Sequence, residues 1–362
     1  DGVSIDPAAE NFDLNFLTLS IIHVRILFNI GAYEDCMDIG YNVLNVLDSS
    51  KIETIRFTSV TKQEFKELIN ECIACIAIAD IVSLKEDVNE FLDISRKLFN
   101  FIPAEFSVFS QLQNLIKGQS VGLAPNMASP NNIYSATIYH IVNAFTKFKN
   151  NPNEFAKEIY KAKLIAKETG LYKFELFVDL MIGYSYIQLN SFKKAQSIIQ
   201  KVITSAKEYG MSSIEHIGCY VMSILEIKLC RFDIAYGVLN NSTIQMEKNP
   251  ISEYLTMLHK VNMYKVLMCC QEQDKAQICM NQAKFIVEKY GLNYNLNIDI
   301  KKLMMENQNV SQAIQQGVSA PPPVPQKEES LSERENSIPS SSQASDSDSA
   351  DSDFVNPEDF FS

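Results

Sequence analysis

Three segments of the chain end in the same way, and together they indicate the fold. They read Ala162-Lys-Leu-Ile-Ala-Lys-Glu-Thr-Gly-Leu171, Ile203-Thr-Ser-Ala-Lys-Glu-Tyr-Gly-Met211 and Ala283-Lys-Phe-Ile-Val-Glu-Lys-Tyr-Gly-Leu292. The three glycines are 40 and 81 residues apart. Each follows a lysine-bearing amphipathic run, which is typical of a helix that ends at a residue in the left-handed conformation. The sequence therefore predicts helices that recur every ~40 residues, with one member of the series lacking its glycine.

A second set of positions keeps the same spacing. These are four alanines that are 39, 40 and 41 residues apart: Ala156, Ala195, Ala235 and Ala276. Each alanine follows a short polar turn, and a small residue there allows a second helix to approach the first closely. Between these markers lie two runs of about 15 to 18 residues with helical periodicity. We therefore predict a helical hairpin that is repeated at least four times between about Asn132 and Tyr290.

One of these hairpins carries a known motif. Gly183, Tyr186 and Ala195 form the pattern small-x2-aromatic-x8-alanine, which resembles the tetratricopeptide repeat, with the standard spacing of about 34 residues stretched to ~40. The resemblance implies an all-α fold, a right-handed α-solenoid of stacked antiparallel helix pairs. In that family the first helix of each hairpin lines an inner, concave groove.

The resemblance also gives candidates for that groove. Alignment on the alanine markers places five polar or aromatic side chains along it: Lys149, Tyr184, Tyr220, Lys228 and Lys265. The three lysines would suit an acidic peptide, because charge complementarity raises the encounter rate and the specificity. The alternative, that the groove-lining positions only pack neighbouring helices together, stays open at this point.

The rest of the chain divides by composition. Leu14 to Ile30 and Tyr33 to Leu47 form a divergent hairpin around the turn Gly31-Ala32, with Cys36 at the position of the marker alanine. Pro and Gly residues between 118 and 131 indicate a loop. We predict divergent helical hairpins in residues 1–117, a loop in 118–131, the repeat array in 132–310 and a disordered Pro/Ser-rich acidic tail in 311–362.

Charge is distributed unevenly along the 362 residues. Residues 326–362 carry ten acidic and two basic side chains, a net charge of −8, whereas the whole chain has a formal net charge of −12. So acidic a tail would be repelled by a phosphate backbone, which argues against direct nucleic-acid binding. The tail also has too few apolar residues to offset the entropy lost on ordering, so we expect it to be disordered.

Two features of the tail suggest regulation or docking. Ser330, Ser332 and Ser345 each have an acidic residue three positions later, the arrangement that acidophilic kinases prefer, and phosphorylation there would add negative charge. A second group sets aromatic rings among acids near the C-terminus: Phe354, Phe360 and Phe361. Such mixtures occur in docking and activation peptides, although a purely solubilising tail is an equally good interpretation.

We predict no catalytic, cofactor or metal site. The pair Cys72 and Cys75 lies inside an apolar helical run, where buried packing is favoured over zinc or redox chemistry. The four histidines sit within predicted helices without a nucleophile motif around them, so we expect structural or surface roles. The apolar run from Cys72 to Val82 is about half the ~20 residues that span a bilayer. Eight cysteines placed in helices rather than at framework spacings indicate a reducing, intracellular compartment, cytoplasmic or nuclear.

These features favour a protein-protein interaction scaffold or adaptor subunit of a larger intracellular assembly, with other proteins or peptides bound by the groove and the tail. Two alternatives remain. The chain does not begin with Met, so it could be the C-terminal sensor or regulatory array of a larger ATPase or kinase. The acidic aromatic tail could also serve a transcriptional regulator as an activation segment.

Overall fold

The computed structural model describes residues 14–46, 62–84, 107–121, 133–148, 151–249 and 251–315. Those ranges contain helices and turns and no strand. The helices, numbered in chain order, are α1 Leu14–Ile30, α2 Tyr33–Val46, α3 Lys62–Ser83, α4 Ser107–Ile116, α5 Ile133–Lys147, α6 Pro152–Glu168, α7 Tyr172–Gln188, α8 Phe192–Glu208, α9 Ser212–Lys228, α10 Phe232–Lys248, α11 Glu253–Cys269, α12 Gln273–Lys289 and α13 Ile300–Gln315.

The array from α6 to α12 is very regular. All seven of these helices are 17 residues long, and short turns join them. Successive helices pack against one another, and each first helix of a hairpin also contacts the first helix of the next, as α7 does with α9 and α9 with α11. The predicted all-α solenoid of stacked helix pairs is therefore confirmed, with the hairpin period of about 40 residues that the glycines and alanines indicate.

Glycine ends the second helix of three hairpins. Gly170, Gly210 and Gly291 have φ angles of +70°, +65° and +59°. The residue after each glycine donates its backbone N–H back into the last helical turn, as Leu171 does to the Ala166 carbonyl at 2.8 Å. This geometry satisfies helix-terminal carbonyls and requires a left-handed residue, which glycine adopts without steric cost.

The turns inside the hairpins use the same left-handed geometry without glycine. Asn190, Cys230 and Gln271 have φ angles of +57°, +55° and +65°. A side chain at such a φ crowds the following carbonyl. Because no glycine marks these turns, only their polar residues indicate them in the sequence.

Replacing Gln271 with glycine is expected to stabilise the protein by about 1 kcal/mol, since it removes this crowding at an exposed turn. Lys284→Gly, at an exposed position inside α12, is the matched control, and it should destabilise by about 1 kcal/mol. Urea unfolding of both variants tests the pair. A loss of stability in Gln271→Gly would show that its turn is not strained.

Three of the four alanine markers occupy equivalent positions, as the spacing predicts. Ala195, Ala235 and Ala276 are fully buried, and each donates its N–H to the residue four positions earlier, at the start of the second helix. In α6 the residue that makes this hydrogen bond is Phe155, which donates its N–H to the Asn151 carbonyl. Ala156 follows it, and both residues are buried. The helices also approach closely at Gly183, where an added Cβ would lie 2.8 Å from the Ile199 side chain.

The N-terminal hairpin follows the same plan. Cys36 is buried and donates its N–H to the Ala32 carbonyl at 2.9 Å, which confirms its equivalence to the marker alanines. Gly40 lets α2 and α3 meet, because a Cβ there would lie 2.5 Å from Ile76. The ten residues of α3 from 72 to 81 are all buried, and α3 contacts α1, α2, α4, α5 and α11. It therefore joins the N-terminal helices to the array.

The N-terminal helices close back onto the array at their C-terminal ends. Near the end of α1, the carbonyl of Phe28 accepts a hydrogen bond from Lys173 at the start of α7. The carbonyl of Ile30 accepts one from the Ser212 hydroxyl of α9 at 3.0 Å. The last carbonyls of a helix have no partner within that helix. Here the Gly31 N–H, at 3.2 Å from the Phe28 carbonyl, and side chains of the array satisfy them.

The same arrangement recurs at α3 and α4. The Val82 carbonyl accepts from Ser252, the N-cap of α11, and the Lys117 carbonyl accepts from the backbone N–H of Asn293 at 2.8 Å. Gly118 has a φ of +68°, and a Cβ there would lie 2.5 Å from the Asn293 carbonyl oxygen. The start of the predicted loop 118–131 is therefore a packing point, while residues 122–131 lie outside the described ranges.

Candidate interaction surface

We call the side of α7, α9 and α11 that carries Tyr184, Tyr220, Lys228 and Lys265 the A face. Two of these predicted groove residues are tyrosines. Tyr184 is half-buried, and its ring stacks on Phe148 with centroids 5.6 Å apart. Tyr220 is also half-buried, with its ring 6.0 Å from that of His259. Burial raises the pKa of both hydroxyls. Each tyrosine thus combines packing contacts with a partly accessible surface.

The predicted lysines behave differently from one another. Lys265 donates to the Asn262 side chain at 2.9 Å, and Asn262 in turn donates to the Ser223 hydroxyl at 3.0 Å, which ties α11 to α9. Loss of solvent around Lys265 lowers its pKa. Lys228 is half-buried at the end of α9, and Lys149 lies outside the described residues. One of the two described lysines therefore contributes to the packing of the array.

A segment of the chain itself runs along the A face of the last two hairpins. We call residues 292–307 the inner segment. Its first part alternates strictly between partly or fully buried apolar residues and exposed polar ones. The inward residues are Leu292, Tyr294, Leu296, Ile298 and Ile300, and the outward ones are Asn293, Asn295, Asn297 and Asp299. Such a period of two is typical of an extended chain with one face against the protein.

The inner segment makes specific contacts with the array. The hydroxyl of Tyr294 donates to the Ile116 carbonyl at 2.9 Å and lies 2.9 Å from the hydroxyl of Tyr254 on α11. Farther along, α13 contacts α9 and α11, and Asn307 donates to the Ile227 carbonyl at 3.0 Å. The A face of these two hairpins is thus partly covered from within the chain.

The inner segment was not predicted, although the sequence carries a signal for it. The alternation of apolar and polar residues from Leu292 to Ile300 is visible in the sequence, and it indicates an extended rather than a helical segment. The predicted array ran on to residue 310, whereas its regular helices end at Lys289 and a separate helix, α13, reaches Gln315. Five residues of the predicted tail, 311–315, therefore belong to that helix.

A polar chain crosses the interior between α9, α10 and α11. The Nδ1 of His216 lies 2.7 Å from the Ser242 hydroxyl, which lies 3.0 Å from the Nε2 of His259. The Nδ1 of His259 lies 2.9 Å from the Leu255 carbonyl, which can only accept a hydrogen bond. Nδ1 of His259 therefore carries the proton, Ser242 donates to Nε2 of His259, and His216 donates to Ser242.

This chain of polar groups is enclosed within the array. His259 is fully buried and Ser242 is 3% exposed, so a substrate has no access to the hydroxyl. Burial lowers the pKa of both His216 and His259 to about 4, which keeps them neutral. His140 is likewise buried, bonded to Glu158 at 2.6 Å, whereas His23 is exposed on α1. These positions fit the predicted structural and surface roles.

Cys72 and Cys75 are buried, and burial raises their pKa, so they stay protonated within the core. The described residues contain no cluster of three or more His, Cys, Asp or Glu side chains that could hold a metal ion. In the same part of the chain, no helix has both the length and the apolar character needed to cross a membrane.

Six predicted tail residues, Ser330, Ser332, Ser345, Phe354, Phe360 and Phe361, lie outside the described residues. Their roles in phosphorylation and docking stay predictions. No protein-family model matches the chain, and no curated protein matches it in sequence. The similarity to tetratricopeptide repeats therefore depends on the motif around Gly183 and on the repeat period, and it too stays a prediction.

Proposed function

We propose that the protein is a non-enzymatic interaction scaffold, or an adaptor subunit, of a larger intracellular assembly, and that it binds other proteins through the A face. The observation that carries this proposal is the stack of seven equal helices from α6 to α12. In such a stack each hairpin contacts mainly its neighbours, so every added repeat lengthens a continuous surface, which is the geometry that suits partner subunits or peptides.

The chemistry of the A face supports the same function. Tyr184 and Tyr220 are half-buried on it. Tyrosine is enriched at protein interfaces, because its ring supplies a large apolar area and its hydroxyl a hydrogen bond. The polar groups of the interior, such as Ser242 and Asn262, are engaged with other side chains of the array. They therefore serve packing, and the partly exposed rings offer the contacts to a partner.

Charge reversal on the two sides of the array tests this proposal. Lys228→Glu alters the A face, and Lys201→Glu alters an exposed position on α8 as its matched control. Tagged full-length protein should capture at least one stoichiometric partner from cell extract. Lys228→Glu should lower that yield by about tenfold, the effect of losing ~1.4 kcal/mol at an interface, and Lys201→Glu should leave it unchanged.

Two results would count against the scaffold function as proposed. The first is a wild-type capture without any stoichiometric protein. The second is an equal loss of the partner in both variants, because the A face would then have no special role. Thermal unfolding of the variants shows that a loss of binding is not a loss of fold.

A further inference from the structure

We propose that the inner segment is an intramolecular ligand of the A face, and that a partner's segment of the same chemistry replaces it. That chemistry is an extended chain with apolar residues at every second position and a tyrosine among them. The inference deepens the proposed scaffold function and rests on it. It names the surface and the kind of peptide that binds it. The surface is formed by α11, α12 and the end of α4 for the extended residues, and by α9 and α11 for α13.

The inner segment is bound mainly through its side chains. From Tyr294 to Ile298, the backbone makes no hydrogen bond to the rest of the described residues, and only alternate side chains face the array. Leu292 lies in an apolar cluster with Met257 and Ile286, which Leu296 also contacts. A surface that contacts every second side chain of an extended chain can bind another segment whose apolar side chains have the same spacing.

Contacts of this kind leave the inner segment displaceable. Tyr294, Leu296, Ile298 and Ile300 are only half-buried, so each removes less apolar surface from water than a core residue does. The Asn307 side-chain oxygen is buried and has no hydrogen-bond partner among the described residues. An unsatisfied buried acceptor weakens the attachment of α13. Segments with few buried contacts open locally before the rest of a protein unfolds.

The surface distinguishes tyrosine from phenylalanine. The Tyr294 hydroxyl donates its single proton to the Ile116 carbonyl. In the contact between the two tyrosines, the Tyr254 hydroxyl must therefore be the donor and the Tyr294 oxygen the acceptor. A carbonyl acceptor and a hydroxyl donor thus converge on one phenol oxygen. A partner with phenylalanine there would leave both groups without their hydrogen bonds, so the tyrosine is part of the recognition.

A labelled synthetic peptide of residues 291–308 is the probe for this proposal, used with two full-length proteins. One is the wild type, and the other is the variant Leu296→Asp with Ile298→Asp, which should release the inner segment. The peptide should bind the variant at least about tenfold more tightly, because an attached competitor acts at a high effective concentration. A peptide with both aspartates should not bind, and one with Tyr294→Phe should bind about tenfold more weakly.

Equal peptide affinity for the two full-length proteins would overturn the proposal. Hydrogen exchange of the wild-type protein gives an independent test if the double variant fails to fold. The amides within α13 should exchange about 100-fold faster than those within α11, as expected for a locally opening segment. Equal protection of α13 and α11 would make the inner segment part of the core and refute the inference. If the inner segment is not a ligand of the A face but the scaffold function holds, the wild-type protein still captures its partner.

Discussion

Phe28→Ala is expected to lower the free energy of unfolding by about 3 to 5 kcal/mol, the usual effect of removing a buried aromatic ring. Phe28 is 1% exposed at the junction of the N-terminal hairpin and the array. Its ring lies 6.1 Å from Tyr33, 6.3 Å from Tyr134 and 6.1 Å from Phe174, measured between centroids. The Lys173 ammonium group lies 4.2 Å from the centroid of the same ring. One substitution thus weakens the contact between α1, α2, α5 and α7.

Leu19→Ala is the matched control for Phe28→Ala, because Leu19 lies on the same helix and is 63% exposed. It should change the unfolding free energy by less than about 0.5 kcal/mol. Urea denaturation followed by circular dichroism measures both variants. If Phe28→Ala cost no more than Leu19→Ala, the N-terminal hairpin would not be packed on the array as the structure shows.

Lowering the pH from 7 to 5 is expected to remove about 4 kcal/mol of unfolding free energy through His216 and His259 together. Burial lowers the pKa of each to about 4 from the ordinary histidine value of 6.5. Between these values the unfolded chain binds protons that the folded protein does not, so stability is complete above pH 6.5 and is lost as the pH falls toward 4. Lys207 and Lys260 lie near the pair and favour its neutral form.

The variant that isolates this effect is His216→Asn with His259→Gln, which keeps neutral hydrogen-bonding groups and removes both titrations. Burial raises the pKa of Glu71 and Glu226, which contributes with the opposite sign, so the informative quantity is the difference between wild type and variant. We expect the variant to lose about 4 kcal/mol less than the wild type between pH 7 and 5. Identical pH dependence in urea titrations would show that the histidines are not buried as neutral groups.

The array was predictable from sequence because its signals are local. A left-handed glycine after an amphipathic run, as at Gly170, fixes a helix end within a few residues. The alanine spacing then fixes which helix faces which, and the structure places Ala195, Ala235 and Ala276 in equivalent contacts. Cys36 could be assigned for the same reason, since a small buried residue is needed at that position.

The closure of the chain on itself was not predictable in this way. Lys173 and Phe28 are 145 residues apart, and Tyr294 and Ile116 are 178 apart, so no local pattern connects them. Nor does residue type reveal which lysine is buried. Lys173 and Lys228 look alike in sequence, yet Lys173 is enclosed by carbonyl and aromatic groups, whereas Lys228 is half-buried at a helix end. Such differences depend on tertiary packing, which overrides local preference.

Photo-crosslinking in cells tests most directly whether other proteins bind the A face. A benzophenone amino acid would replace Tyr184 on α7 or, as the control, Tyr160 on α6, so that one aromatic ring replaces another at sites of partial exposure. We predict one dominant crosslinked partner from position 184 and little crosslinking from position 160. Crosslinks from position 160 alone, or in equal yield from both positions, would contradict the assignment of the A face as the binding surface.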